Sequence, residues 1–526
     1  MADHTFKLYD TMSRQVRPLR PQEPGHLRFY TCGPTVYSYA HIGNFRSFLA
    51  ADLVVRTARA LGWRVTWVTN ITDVGHLTED DVADASGEDR MERALKSKEG
   101  ERFANVWDLA EYYTRAYLED WARLNLTEPT VRPKATQHVR EQILMTQALI
   151  ELGNAYETPS GVYFDVESKA DYGKLSGNTR EKLQEAVRDV VLDENKRRQA
   201  DFALWKKDDK HLMQWYSPWG WGFPGWHIEC SAMARAYLGD TIDLHSGGED
   251  NAFPHHECEI AQSEAFTGRP FANHWMHVRF LQVEGEKMAK SAGNFYTVRD
   301  LVNEGFDPIA LRYALISVPY RKPMNFTIQQ LRDAEGNVER FREARRRATM
   351  APPPAPPSSS GASPPADEGR VAQPVSLAAD EDGGSTPGDE AFGFGGALER
   401  LYRDALAAMC DDLNTSVAIA KALEGARLIL REPELGLGKG TMAVRFLDRT
   451  ESLLGICPPD RARETGGKAL IVIEGRPLED WIKERADAKA AKDFATADAI
   501  RARLAEDGIE LRDSPEGTTW SRRPRL

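Results

Sequence analysis

The stretch from His26 to Val68 constrains this chain more than any other. His26 to Thr31 is a β-prone run containing Phe29 and Tyr30, and it stops at Cys32-Gly33-Pro34-Thr35. A proline and a glycine there end a central strand. Helical periodicity then runs from Asn44 to Leu61, with Phe45, Phe48, Leu49, Leu53 and Val54 near one face. Gly62 supplies a stop, and Trp63 to Val68 reads as the next strand. A strand, a turn, a helix and a second strand make half of a nucleotide-binding α/β fold, with its ligand loops after the strands.

Two short motifs lie where such loops would use them. His41-Ile42-Gly43-Asn44 opens the predicted helix, so backbone N–H groups and an imidazole gather at a helix N-terminus, a phosphate-binding geometry. Lys287-Met288-Ala289-Lys290-Ser291 follows Gly285 and precedes Gly293-Asn294, giving a loop with two point charges. On residues alone, the first is an ordinary capping or core histidine and the second a solvated loop. Together they resemble the two signatures of class I aminoacyl-tRNA synthetases. The family's first signature usually ends in His where this chain has Asn44, which can donate a neutral hydrogen bond but cannot carry charge. Its second usually has Ser where this chain has Ala289. The resemblance implies catalytic roles for His41, Asn44, Lys287 and Lys290. It implies ATP contacts at Thr35, His41, Gly43, Asn44, Gly248, Asp250 and Lys290. Lys290 would stabilise the phosphate charge as pyrophosphate leaves.

Further residues narrow the resemblance to cysteinyl-tRNA synthetases. Trp226-His227-Ile228-Glu229-Cys230 and Pro254-His255-His256-Glu257-Cys258-Glu259 add a second cysteine, histidines and carboxylates. His255 and Glu259 are one helical turn apart and share a face. Spacing does not join Cys32 to Cys230, and on residues alone both are buried free thiols. In the family, the positions of Cys32, Cys230, His255 and Glu259 match zinc ligands, so one Zn²⁺ per chain is implied, with Mg²⁺ accompanying ATP. Cys258 and His256 stand beside this set and leave open which helix residues would bind. The resemblance also implies amino-acid contacts at Gly33, Thr72 and Trp226. A metal that takes the substrate thiolate would separate cysteine from serine without an editing domain.

The resemblance spans nearly the whole chain. It implies an α/β fold with a class I Rossmann-like catalytic core and an inserted connective domain. A helical bundle and a small C-terminal α+β anticodon-binding module would follow. Residues 1–131 and 201–265 are read as the two catalytic halves, 132–200 as the connective insertion, and 266–325 as a stem-contact segment carrying the lysine loop. Residues 326–350 and 397–460 are read as the bundle and 461–526 as the anticodon module. Residues 351–396, rich in Pro, Ser and Gly, form no motif of the family and are read as a disordered linker. Leu478 to Leu504 is read as one amphipathic helix before a terminal hairpin. Lys483, Arg485, Lys489, Lys492, Arg501, Arg503 and Trp520 are its candidate RNA contacts.

A net charge of −12 argues against a generic basic nucleic-acid binder but leaves room for a local RNA-binding face. Five cysteines give no disulfide framework, so a reducing compartment is expected. No apolar run of signal-peptide or membrane-spanning length is present. The expectation is a cytoplasmic monomer that activates L-cysteine with ATP and transfers it to the 3′-terminal ribose of the cysteine tRNA. Two alternatives remain at this point. One is a mycothiol-pathway cysteine ligase, which lacks the C-terminal module; the other is a non-catalytic RNA-binding paralogue, which would be expected to have lost Lys290 or a metal ligand.

Overall fold

The computed structural model describes residues 4–75, 89–178, 195–288, 294–350, 389–459, 472–473, 476–491, 493–506, 509–514 and 517–522. Four parallel strands form the central sheet, in the order Trp275–Val278, Leu244–Gly248, His26–Thr31, Arg64–Thr69. Phe29 lies opposite Trp67 on one side and Leu244 on the other. The two inner strands are far apart in sequence, so the crevice beyond their carboxyl ends is a switch point between the two halves of the sheet. Cys32 follows one inner strand and Glu249 the other, which puts both halves' loops at one edge.

The helix expected over Asn44–Leu61 runs over Ile42–Ala60, because His41 caps it. Gly62 adopts φ +83°, the left-handed conformation that ends a helix without a Cβ penalty. Phe45, Phe48, Leu49, Leu53 and Val54 are all buried. Phe45 stacks on Tyr117, Phe48 meets that ring edge-on, and Trp121 bridges Phe48 to Trp67. Each such side chain contributes about 1.5–3 kcal/mol on burial. The helix is thereby fixed against both the sheet and the helix Val106–Arg123.

A second, antiparallel sheet has the order Ala155–Glu157, Gly161–Phe164, Phe202–Lys207, Gly220–Pro224, Trp215–Ser217. Phe202–Lys207, read above as the start of the second catalytic half, pairs with Gly161–Phe164, and Gly220–Pro224 and Trp215–Ser217 extend the sheet beyond it. The buried Phe202, Leu204 and Trp205 complete that sheet's own core with Phe164 and Val162. Residues 179–194 of the expected connective insertion lie outside the described residues.

The helical region contains Ile328–Thr349, Asp389–Cys410, Thr415–Arg431 and Leu437–Leu454. Asn414 caps the third of these, its side chain accepting from the Val417 N–H. Helix begins at Asp389 rather than at residue 397, since Phe394 finds a buried position before the expected start. The linker reading of 351–388 falls outside the described residues. The single helix expected over Leu478–Leu504 is two, Leu478–Ala490 and Phe494–Glu506. Asp493 accepts from the Thr496 N–H and hydroxyl, capping the second helix and breaking the run. Arg485 is only 2% exposed, so it belongs to the interior and not to an RNA-facing surface. Lys492 and the Trp520 side chain lie outside the described residues. The terminal hairpin pairs Ile509–Ser514 with Gly517–Arg522.

A buried ionic seam fixes the first helix to the helical region. Arg312, fully buried, donates to Asp52 Oδ2 at 2.5 Å and to the carbonyls of Leu124, Asn125 and Leu454. Arg56 donates to the same carboxylate and to the carbonyls of Glu451 and Asn125. Asp52 Oδ1 accepts from the Thr127 N–H. The helix that opens at His41 thus has its middle turn tied to the end of Leu437–Leu454.

Candidate functional site

The two motifs read as phosphate-binding come together. His41 Nδ1 accepts from the Asn44 N–H, and Asn44 Oδ1 accepts from the His41 N–H, both at 3.1 Å. The pair is a reciprocal cap, so Asn44 holds the helix start in shape. A Cβ on Gly43 would lie 2.9 Å from both His41 Nδ1 and Met288 Cε, so the loop carrying the lysine motif touches the helix N-terminus at its glycine. The Ile42 N–H donates to the Tyr296 carbonyl and the His41 ring meets Phe295 edge-on. Lys287 sits in the two-residue strand Glu286–Lys287, after a turn at Gly285. Lys290 lies outside the described residues.

The loops after the strands are knitted by short contacts. A Cβ on Gly33 would stand 1.6 Å from the Asn70 carbonyl oxygen, so only glycine fits. The Gly33 N–H donates to Asn70 Oδ1. Thr72 N–H donates to the Pro34 carbonyl and Thr72 in turn accepts from Val36, which sets Thr35 opposite Thr72. The Thr72 hydroxyl is buried, donating to Glu229 and accepting from Asn70. Gly248 ends its strand with its N–H on Asn251 Oδ1, and Asp250 is exposed on the turn beyond.

Cys32, Cys230, His255 and Glu259, distant in sequence, bring their donor atoms within 4.8 Å of one another. The helix Trp226–Leu238 delivers Cys230, and the helix His255–Thr267 delivers His255 and Glu259 on one face. The two thiols are 4.0 Å apart, Cys32 Sγ is 3.5 Å from Glu259 Oε1, and His255 Nε2 is 3.1 Å from that oxygen. Tetrahedral zinc, with bonds of ~2.0–2.3 Å, sets donor-to-donor edges of roughly 3.3–3.8 Å. The observed separations sit close to those edges, and the donor set suits a borderline-soft cation. Cys258 does not join it: its thiol turns to the Tyr172 hydroxyl, among the apolar residues of the insertion.

His256 and His245 form an overlapping set with Cys32 and Glu259. The partners of each ring separate the two sets. His245 Nε2 holds Glu259 Oε2 at 2.9 Å, leaving Oε1 for Cys32 and His255. His256 reaches Cys32 with Nε2 and faces His277 with Nδ1, and His277 goes on to Thr11. His227 lies 2.9 Å from His255 Nδ1. The charges follow from this packing. Burial pushes the Glu259 carboxyl up, but His245 and His255 outweigh it and hold the group down to about 2. Burial would lower His255, and its bonds to Cys230 and Glu259 raise it to about 10. The hydrogen bond from Cys32 draws Cys230 down to about 7, while burial pushes Cys32 well up. Trp226 lies against this cluster, 5.0 Å from the His255 ring.

The four donors and Trp226 are expected from the sequence, and His227 stands in the Trp226–Cys230 run without a role of its own; His245 and His277 are not expected. Of those two only His245 carries a hint, as the histidine immediately before Ser246-Gly247-Gly248. Nothing in the chain order tells which of the five clustered histidines faces a thiol.

Residues 18–336 match the family profile for the tRNA synthetases class I (C) catalytic domain. A cysteine–tRNA ligase of Salinibacter ruber is 50% identical, with all of both chains aligned. One from Thermus thermophilus is 40% identical over 98% of each. Among solved structures, a Mycobacterium tuberculosis methionyl-tRNA synthetase in complex with methionyl-adenylate superposes with a TM-score of 0.53 at 12% identity, covering 84% of this chain and 92% of the other. That likeness is one of fold, and it matches the α/β class with a parallel sheet and a helical C-terminal region.

Proposed function

Because this chain belongs to the cysteine–tRNA ligase family, and is therefore a ligase enzyme, we propose that it couples L-cysteine to the cysteine tRNA through an adenylate. In the first step a carboxylate oxygen of cysteine attacks the α-phosphorus of ATP, and pyrophosphate leaves. In the second, a hydroxyl of the terminal ribose attacks the acyl carbon, and AMP leaves. The observation that carries this reading is the convergence of Cys32, Cys230, His255 and Glu259 at the sheet edge that also holds the His41 helix N-terminus.

Zinc held by those four donors would supply a soft Lewis acid that prefers a substrate thiolate to a serine hydroxyl. The chain's own groups do the remaining work. Trp226 walls the amino-acid pocket beside His255. Gly33 lets the Cys32 loop pass close to Asn70, and the engaged Thr72 hydroxyl holds that loop in register. The N–H groups at Gly43 and Asn44, with His41, receive ATP phosphates at the helix N-terminus. Thr35 lies beside them, and the exposed Asp250 after Gly248 accepts from ribose hydroxyls. Lys287 and Lys290 would supply positive charge to those phosphates; Met288, next to Lys287 in the chain, lies against Gly43. Positive charge placed at the departing pyrophosphate is worth several kcal/mol, on the order of 3 or more. Mg²⁺ accompanies ATP.

Residues 461–526 are proposed to bind the anticodon region through exposed Lys483, Arg501 and Arg503. The protein is proposed to act as a cytoplasmic monomer; among the described residues no helix is long and apolar enough to cross a membrane. The test is cysteine-dependent ATP–pyrophosphate exchange, followed by tRNA cysteinylation. Exchange is expected with cysteine and not serine, and Lys290→Ala should depress it far more than it weakens cysteine binding. Exchange near the unaltered level in Lys290→Ala would remove that residue from the reaction.

A further inference from the structure

Arg90 is the first residue of the short helix Arg90–Leu95, and its guanidinium carbon lies 5.6 Å from the Trp226 ring centroid and 5.9 Å from that of Tyr37. Both distances are within reach of a cation–π contact. Trp226 lies against His255, and Tyr37 follows the Thr35 loop two residues on, so the cation sits between the wall of the amino-acid pocket and the phosphate-binding edge.

The neighbouring residue pins it there. Asp89 is 5% exposed; its Oδ1 caps the helix on the Glu92 N–H at 2.7 Å, and its Oδ2 meets His211 Nε2 at 3.1 Å. A Cβ on Gly75 would stand 2.0 Å from that same oxygen, so the close approach of the Asp73–Gly75 loop requires glycine. The His211 ring stacks on Phe223 at 3.9 Å, and Phe223 precedes Trp226 by three residues. One buried pair therefore sets both the helix that carries Arg90 and the strand that leads to Trp226.

We propose that Arg90 is a substrate-binding residue whose guanidinium takes an oxyanion of the activation step, either the carboxylate of the amino acid or the α-phosphate of ATP. A guanidinium within cation–π reach of both rings stands at the edge of the pocket, and a guanidinium can grip a planar carboxylate or a phosphate by two parallel hydrogen bonds. Those two oxyanions are the groups that must meet between the Trp226 wall and the His41 helix. Asp89 acts as a positioning residue, through Arg90. The inference rests on the cysteine-activating reading given above.

Arg90→Met and Arg90→Lys in the zinc-loaded, full-length protein test it by pyrophosphate exchange, with cysteamine as inhibitor. Cysteamine has the thiol and amine of cysteine and no carboxylate. If the carboxylate is the ligand, Arg90→Met raises the KM for L-cysteine about tenfold or more and leaves cysteamine inhibition unchanged, and Arg90→Lys recovers part of the loss. If the α-phosphate is the ligand, the KM for ATP rises instead, and cysteine binding measured without ATP is unaltered. Asp89→Asn should shift the same constant in the same direction by less. Equal weakening of cysteine and cysteamine means that Arg90 only supports the Trp226 wall, and unmoved constants for both substrates remove it from the site; either overturns the proposal. Absence of cysteine-dependent exchange in the unaltered protein would instead overturn the activity, and this inference with it.

Discussion

Two of the buried charge clusters among the described residues, the seam and the metal-type cluster, are built on opposite plans. At the seam, Asp52, Arg56 and Arg312 neutralise one another, and five backbone carbonyls and one N–H group take the remaining hydrogen bonds. At the metal-type cluster, two thiols, a carboxylate and several imidazoles face one another with no lysine or arginine among them. His245 Nδ1 is a buried atom without a partner among the described residues. A charge cluster satisfied by its own chain holds elements together, whereas one built only of donors that bind cations is completed by something from outside.

The largest effect expected from that contrast is at the cluster. The Cys32→Ser, Cys230→Ser double variant should lose stoichiometric zinc by elemental analysis. Exchange should fall by more than about a hundredfold, beyond what loss of a supporting partner costs. Full zinc content in that protein would end the assignment of the four donors. The seam should answer differently. Arg312→Met leaves Asp52 buried beside one fewer cation and should cost about 3–5 kcal/mol in denaturant unfolding, with zinc content unchanged. Replacing both partners, as Asp52→Leu with Arg312→Met, should cost less than Arg312→Met alone, because no charge is left unpaired. If the double variant is the less stable, the seam is not a self-neutralising pair.

A smaller effect belongs to the backbone of the site. Gly33→Ala forces the Cys32 loop away from Asn70, and a displacement of about an ångström costs on the order of a hundredfold in exchange, with little change in melting temperature. Unchanged exchange would mean that the loop relaxes freely. The smallest effect is in pH. Burial pushes Asp52 up, yet Arg56 and Arg312 hold it down to about 2, below the ordinary 3.8. The folded state then resists protonation that the unfolded chain accepts, so this stabilisation is complete above about pH 4 and is lost as pH falls towards 2. It amounts to about 2 kcal/mol. The acid limb of a stability–pH curve should flatten in the Asp52→Leu, Arg312→Met protein; an unaltered limb would assign acid sensitivity elsewhere.

Much of the local structure was legible in the chain because local rules decide it. The strand His26–Thr31, the helix that ends before Gly62 and the terminal hairpin all follow from period and turn residues within a few positions. Where a competing local signal was overlooked, the reading slipped: Asp493 as a cap split the helix expected over Leu478–Leu504. Where a distant partner decided, no local signal existed. Strand Phe202–Lys207 pairs with the distant Gly161–Phe164, and helix Asp389–Cys410 starts early because Phe394 finds a buried position.

The same division runs through the site. The sequence by itself determined the donor types, the shared face of His255 and Glu259, the glycine at the strand end and the membership of the chain in its family. Those features are fixed by residue identity and by spacing of a turn or less. Only the tertiary structure decided that Cys32 meets Cys230, that Cys258 turns away to Tyr172, that His245 holds one oxygen of Glu259, and that Asp89 and His211 seat Arg90 beside Trp226. These contacts join strands and helices that are neighbours in the sheet and strangers in the chain. A buried polar group takes whichever partner the packing brings within hydrogen-bond reach, and chain order does not encode that choice.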